Sequence, residues 1–141
     1  MKKYHQNIPA SYLFLLKDKK VLLLKRCNTG YEDGNYSMIA GHVEEGETFT
    51  DAIIREAYEE ANIKLKAEDL KVVHVMHRKT DRVDVFFAAD KWDGSIENKE
   101  FHKCMELSWI DVENLPQNTV LYIKDAIQKI EDKIFYSEYG W

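Results

Sequence analysis

The sequence predicts an α+β sandwich, with short strands grouped around two helices. Apolar runs of strand length recur at residues 11–16, 21–26, 71–77, 82–89 and 107–110. Residues 48–61 and 119–130 instead carry their apolar side chains at helical spacing. No internal repeat, low-complexity tract or Pro/Gly/Ser-rich linker divides the 141 residues. The chain therefore reads as one domain, 1–141, long enough to bury a core.

The elements follow in order. Runs 11–16 and 21–26 flank the polar Lys17-Asp18-Lys19-Lys20, which predicts a hairpin. Residues 28–35 hold Gly30 and Gly34 and form a loop. A short buried strand, 37–40, leads into a glycine-bearing loop. Thr48 caps the first helix, with Asp51 three residues on as its capping-box partner. Lys79-Thr80-Asp81 turns between strands 71–77 and 82–89. After strand 107–110, residues 111–116 suggest a helical turn stopped by Pro116. The second helix has Val120, Ile123, Ile127 and Ile130 on one stripe. The tail from Phe135 to Trp141 is aromatic, and this predicts that it docks on the fold or on a partner subunit.

Composition excludes several classes. A net charge of -5 argues against coating bulk nucleic acid, because phosphate binding needs a basic surface. Cys27 and Cys104 are far apart and match no zinc or disulfide spacing. Two free thiols and the lack of an apolar leader behind Met1-Lys2-Lys3 predict a cytoplasmic location. The run 12–16 is too short to span a membrane. A homodimer stays open.

The chemistry concentrates between Gly41 and Glu60. Gly41-His42-Val43-Glu44-Glu45-Gly46-Glu47 is followed, after seven residues, by Arg55-Glu56-Ala57-Tyr58-Glu59-Glu60. On a helix of about 100° per residue, Glu60 falls roughly 40° to one side of Glu56 and Glu59 roughly 60° to the other. Ile53, Ile54, Ala57, Tyr58 and Ala61 fill the neighbouring arc. Like charges at this spacing destabilise a helix. An acidic face taken alone is ordinarily just solvated, but this one is tenable as the seat of a divalent cation. Hard cations such as Mg²⁺ or Mn²⁺ take oxygen ligands and keep waters and substrate phosphates. Glu56 and Glu60 are the natural ligand pair, and Glu59 a ligand to a second ion or to a metal-bound water. Arg55 is placed to pair with Glu47 or another carboxylate and hold the array.

The pattern resembles the Nudix box: glycine, five residues, Glu, seven residues, then Arg-Glu-x-x-Glu-Glu. Gly41, Glu47, Arg55, Glu56, Glu59 and Glu60 occupy its fixed positions, with apolar Ala57 and Ile63 also fitting. Six such matches arise by chance on the order of once in ten million starting points. Asn62 stands where the box usually has glycine. That site calls for a left-handed conformation, and Asn is the next-best residue for it.

The resemblance implies a mixed sheet between helices, the α/β/α sandwich of the Nudix fold. It also implies Mg²⁺-dependent hydrolysis, with Mn²⁺ as a substitute, of a nucleoside diphosphate linked to another group, by attack of water at phosphorus. The first expectation for the substrate is a nucleoside triphosphate. ADP-ribose, nucleotide sugars and dinucleoside polyphosphates follow, and a non-catalytic nucleotide sensor or protein-binding domain is the rival class. In this carry-over Gly41 gives a carbonyl to the metal, Glu56 and Glu60 are ligands, Glu59 is a ligand or orients water, and Arg55 and Glu47 orient the array. Glu100 and Glu106 are candidates for an additional carboxylate near the metals. His42, His102 and Lys103 read as structural or exposed residues. Tyr31, Tyr36, Phe87 and Phe101 offer aromatic faces for a base.

Overall fold

The central strands are buried on both faces, which is why the sequence shows continuous apolar runs there and not clean alternation. The computed structural model describes residues 1–141. Its elements run β1 (Ile8–Phe14), β2 (Leu16–Lys17), β3 (Lys20–Arg26), β4 (Tyr36–Ser37), β5 (Ile39–His42), α1 (Phe49–Ala61), β6 (Leu70–Arg78), β7 (Arg82–Ala89), β8 (Cys104–Asp111), α2 (Leu121–Glu131) and β9 (Tyr136–Tyr139).

One mixed sheet has the order β5-β1-β7-β6-β9. β1 pairs antiparallel with β5 and parallel with β7, and β6 pairs antiparallel with β7 and parallel with β9. In the second sheet β3 pairs with β8 along one edge, while β2 and β4 share its other edge. Successive side chains of β1, β3 and β7 fall alternately into two cores. Leu13, Leu22, Leu24, Val85 and Phe87 pack with Ile53, Ala57 and Ala61 of α1. Tyr12, Phe14, Val21, Leu23 and Phe86 pack with Ile123, Ala126 and Ile127 of α2. The predicted α+β sandwich is therefore the observed one.

Several details differ from expectation. Only Leu16–Lys17 pairs with β3 as a hairpin. Asp18 and Lys19 both take positive φ (52° and 62°), as a two-residue turn between twisted strands requires. The rest of the first apolar run belongs to the other sheet. Segment 37–40 is likewise two short strands, because the chain crosses from one sheet to the other at Met38. Residues 111–116 form no helix. Asp111 accepts from the Asn114 N–H through its carbonyl and from the Glu113 N–H through its carboxylate. Side-chain competition of this kind favours a turn over a helix. No helix is long and apolar enough to cross a membrane.

The aromatic tail docks on its own fold, as β9 beside β6. His74, fully buried in β6, holds it. The Ile134 carbonyl lies 2.7 Å from Nδ1 and the Ser137 hydroxyl 2.7 Å from Nε2. A carbonyl only accepts, so Nδ1 carries the proton and Nε2 accepts from Ser137. The Trp141 indole N–H donates to the His77 carbonyl at 3.0 Å.

Burial holds the His74 imidazole below the ordinary histidine range. The unfolded chain therefore takes up this proton first as pH falls. The stability tied to neutral His74 is complete above the unfolded value near 6.5 and declines as pH falls through the folded value. Urea midpoints should drop from about pH 7 to about pH 5. His74→Gln should flatten that decline while lowering the midpoint at neutral pH.

Candidate active site

α1 is fixed at both ends by local chemistry. Thr48 Oγ1 accepts from the Asp51 N–H at 3.0 Å, and Asp51 Oδ2 accepts from the Thr48 N–H at 3.1 Å, closing a capping box. At the far end Asn62 sits in the left-handed region (φ 58°, ψ 27°). The Asn62 N–H donates to the Tyr58 carbonyl, the single bond of an αL ending, and the Ile63 N–H donates to the Ala57 carbonyl. Asn62 Nδ2 adds a bond to the Ser95 carbonyl at 3.0 Å, which a glycine there could not make. Ser11 Oγ of β1 donates to the Phe49 carbonyl at 2.8 Å and ties the start of α1 to the sheet. Ala52, Ile53, Ala57 and Ala61 form the buried stripe. Tyr58, expected on the apolar arc, is exposed under the Lys99 ammonium.

With the helix so held, its carboxylates meet Arg55. Nε and Nη2 of Arg55 donate to Glu47 Oε2 (2.7 Å) and Oε1 (2.9 Å), a bidentate pair. Nη1 donates to Glu56 Oε1 at 2.7 Å and reaches Glu59 Oε2 at 3.4 Å. Nη2 also donates to the His42 carbonyl at 3.2 Å, joining β5 to the cluster. The Arg55 hydrogen bonds, then the Glu44 N–H, pull the Glu47 carboxyl down to about 2.

Glu60 is in the opposite situation. Burial, then the hydrogen bond and charge of Glu56, then the charge of Glu100, push its carboxyl well above the usual range, while the Ala40 N–H works the other way. Glu56 lies against the glycine of β5: a Cβ on Gly41 would stand 2.1 Å from Glu56 Oε1. The absent side chain of Gly41 is thus the cradle for the Glu56 carboxylate.

A hard divalent cation fits this donor set. The groups are all oxygen, and a positive charge beside the buried Glu60 would offset its burial and the like charges of Glu56 and Glu100. No three Asp, Glu, His or Cys side chains converge as a closed cage. A magnesium-type ion needs no such cage, since it keeps several waters.

The cluster lies in an open cleft of about 1020 Å³. Gly41, Arg55, Glu56, Glu59, Glu60 and Glu100 all line it. Glu106 does not. Its carboxylate accepts from the hydroxyls of Tyr36 (2.7 Å) and Ser108 (2.8 Å), and these bonds hold it below the ordinary range. Of the four aromatic candidates, Tyr31 alone borders the cleft, and Phe87 is core. The exposed His42 and Lys103 lie at the rim. The cleft is also lined by Tyr12, Arg78 and Tyr122, which were not among the residues expected there. The one available signal was Asp84, a charge inside the apolar run 83–87.

Residues 7–130 match the family model of the NUDIX domain. The chain is similar to an ADP-ribose pyrophosphatase of Methanocaldococcus jannaschii, with 32% identity over 72% of this chain and 60% of that protein. It is also similar to the NAD-capped RNA hydrolase NudC of Shigella dysenteriae, with 31% identity over 80% of this chain and 42% of that protein. The chain thus spans only part of the length of these relatives. In fold it resembles a MutT NUDIX hydrolase from Burkholderia pseudomallei, with a TM-score of 0.79 at 22% identity, covering 88% of this chain and 98% of that one.

The depressed Glu47 carboxyl carries a stability term. It is complete above the unfolded value near 4.3 and is lost as pH falls toward about 2. Glu47→Gln should lower the melting temperature at neutral pH. It should also remove part of the acid decline between about pH 4.5 and 2. Thermal melts of parent and variant across that range check this.

Proposed function

The chain belongs to the Nudix family, and from that membership we propose that it hydrolyses a nucleoside diphosphate linked to a second group, by attack of water at phosphorus. The supporting observation is Glu56 set against Gly41, with Glu60 beside it, in a nucleotide-sized cleft. Mg²⁺, or Mn²⁺ in its place, would neutralise charge on a phosphoryl oxygen and acidify bound water.

Glu56, Glu60 and the Gly41 carbonyl hold the ion in this reading. Glu59 is half-exposed and has only a long contact to Arg55, so it is free to ligate or to orient water. Arg55 and Glu47 act at one remove by fixing where Glu56 points. Glu100 approaches Glu60 from the loop before β8 and is the additional carboxylate. Glu106 has no part.

A nucleoside triphosphate is the first substrate to test. ADP-ribose is the second, supported by the name of the relative in Methanocaldococcus jannaschii. The intact set Arg55, Glu56, Glu59 and Glu60 favours an enzyme over a sensor.

A nucleotide panel with Mg²⁺ and ¹⁸O-water should yield products labelled at a single phosphorus. No turnover on any member, with metal bound, would overturn the reading. Glu60→Gln should lower kcat by about 100-fold or more while the circular dichroism spectrum is kept. Gly41→Ala should displace the flexible Glu56 side chain. It should cost turnover by about 100-fold with a melting temperature shifted by only a few degrees.

A further inference from the structure

Residues 90–103, between β7 and β8, form no helix and no strand beyond a single bridge at Asp93, yet they are fastened along the end of α1. The Lys64 N–H donates to the Asp93 carbonyl at 2.8 Å, and the Asp93 N–H donates back to the Lys64 carbonyl at 3.0 Å. The Ser95 carbonyl accepts from Asn62 Nδ2 at 3.0 Å. The Glu97 N–H donates to the Ala61 carbonyl and the Lys99 N–H to the Glu60 carbonyl, both at 3.1 Å. These are the last two carbonyls of α1, which no helical N–H can reach. Gly94 passes so close that a Cβ on it would stand 2.3 Å from the Asn62 carbonyl oxygen. Trp92 and Ile96 pack against the core beneath α1, and the Lys99 ammonium lies 3.7 Å from the Tyr58 ring centroid.

Glu100 comes one residue after the Lys99–Glu60 bond. Its N–H donates to Asn98 Oδ1 at 3.1 Å, and Asn98 Nδ2 donates to the Cys104 carbonyl at 2.6 Å. The Glu100 carboxylate shares the cleft with Glu60, and its charge helps to hold the Glu60 carboxyl up. Among the hydrogen bonds that fasten the segment to α1 and the turn after it, only the one from Asn62 comes from a side chain. The left-handed turn itself does not need that side chain, because glycine adopts it more readily.

Resting on the role given to Glu100 above, we infer that Asn62 is a positioning residue: its carboxamide fastens residues 93–99 to the end of α1 and so keeps Glu100 beside Glu60. The asparagine that replaces the usual glycine of the box therefore links the helix carboxylates to the one carboxylate that comes from outside the helix and its loop.

Asn62→Gly deletes the bond to Ser95 and keeps the turn, so the melting temperature should move by only a few degrees. Amide hydrogen exchange of Glu97 and Lys99, read by NMR, should quicken about fivefold, with β6 and β7 unchanged. On whichever nucleotide the chain hydrolyses, kcat should fall about tenfold with KM within about twofold. In a Glu100→Gln background the same substitution should cost less than about twofold, because a residue acting through Glu100 has nothing left to position. Unchanged exchange, unchanged kcat, a loss that adds in full to that of Glu100→Gln, or a Glu100→Gln that costs nothing would each overturn the inference and leave the hydrolase reading in place. A chain that hydrolyses no nucleotide removes the hydrolase reading, and the exchange comparison then decides whether Asn62 fastens the segment.

Discussion

Four glutamates, Glu44, Glu47, Glu56 and Glu59, lie within 3.7 Å of the single guanidinium of Arg55. Without it, the end of the cleft would be a set of like charges with every reason to swing into solvent. With it, Glu47 is held from the loop, Glu56 from the helix and the His42 carbonyl from β5. Loop, helix and strand are thus locked in one relative position. The arginine also offsets only part of the negative charge. Glu60 lies beyond its reach and stays frustrated, and that residual frustration makes the position receptive to a cation.

The rest of the fold delivers these groups to one place. Strands buried on both faces let α1 and α2 cover opposite sides of the same sheet. The crossing at Met38, from the sheet of β3 to the sheet of β1, opens the seam in which the cleft lies. Gly41 comes three residues after that crossing, where a side chain would collide with Glu56. Architecture and chemistry therefore share a short stretch of backbone, residues 38–42.

What was legible in the sequence was local. The capping-box partners are three positions apart, the carboxylate arc follows from helical pitch, and the Arg55–Glu47 pair crosses only eight positions. The left-handed Asn62 was legible for the same reason. The partners of β1 were not, because β5 and β7 arrive from about 30 and 70 residues away and no local signal encodes their pairing. Glu100 and Glu106 could not be separated by spacing. The turn at 100–104 and the bond from Tyr36, seventy residues away, decide which one faces the cleft. Arg78 passed unnoticed because a strand-end arginine is ordinarily exposed. Its partner Asp84, in the middle of an apolar strand, was the clue, since a buried carboxylate demands an explanation.

The clasp of His74 on the C-terminal segment has a consequence in time. β6 carries Arg78 at its end, and its outer edge is closed only by β9, about 60 residues later in the chain. Until residues 136–139 arrive, β6 presents unpaired N–H and C=O groups, a template for any passing strand. Parallel pairing at such separation is intrinsically slow to form. The wall that carries Arg78 is therefore the last part of the cleft to be secured as the chain is made, and the part most exposed to mispairing before it is complete.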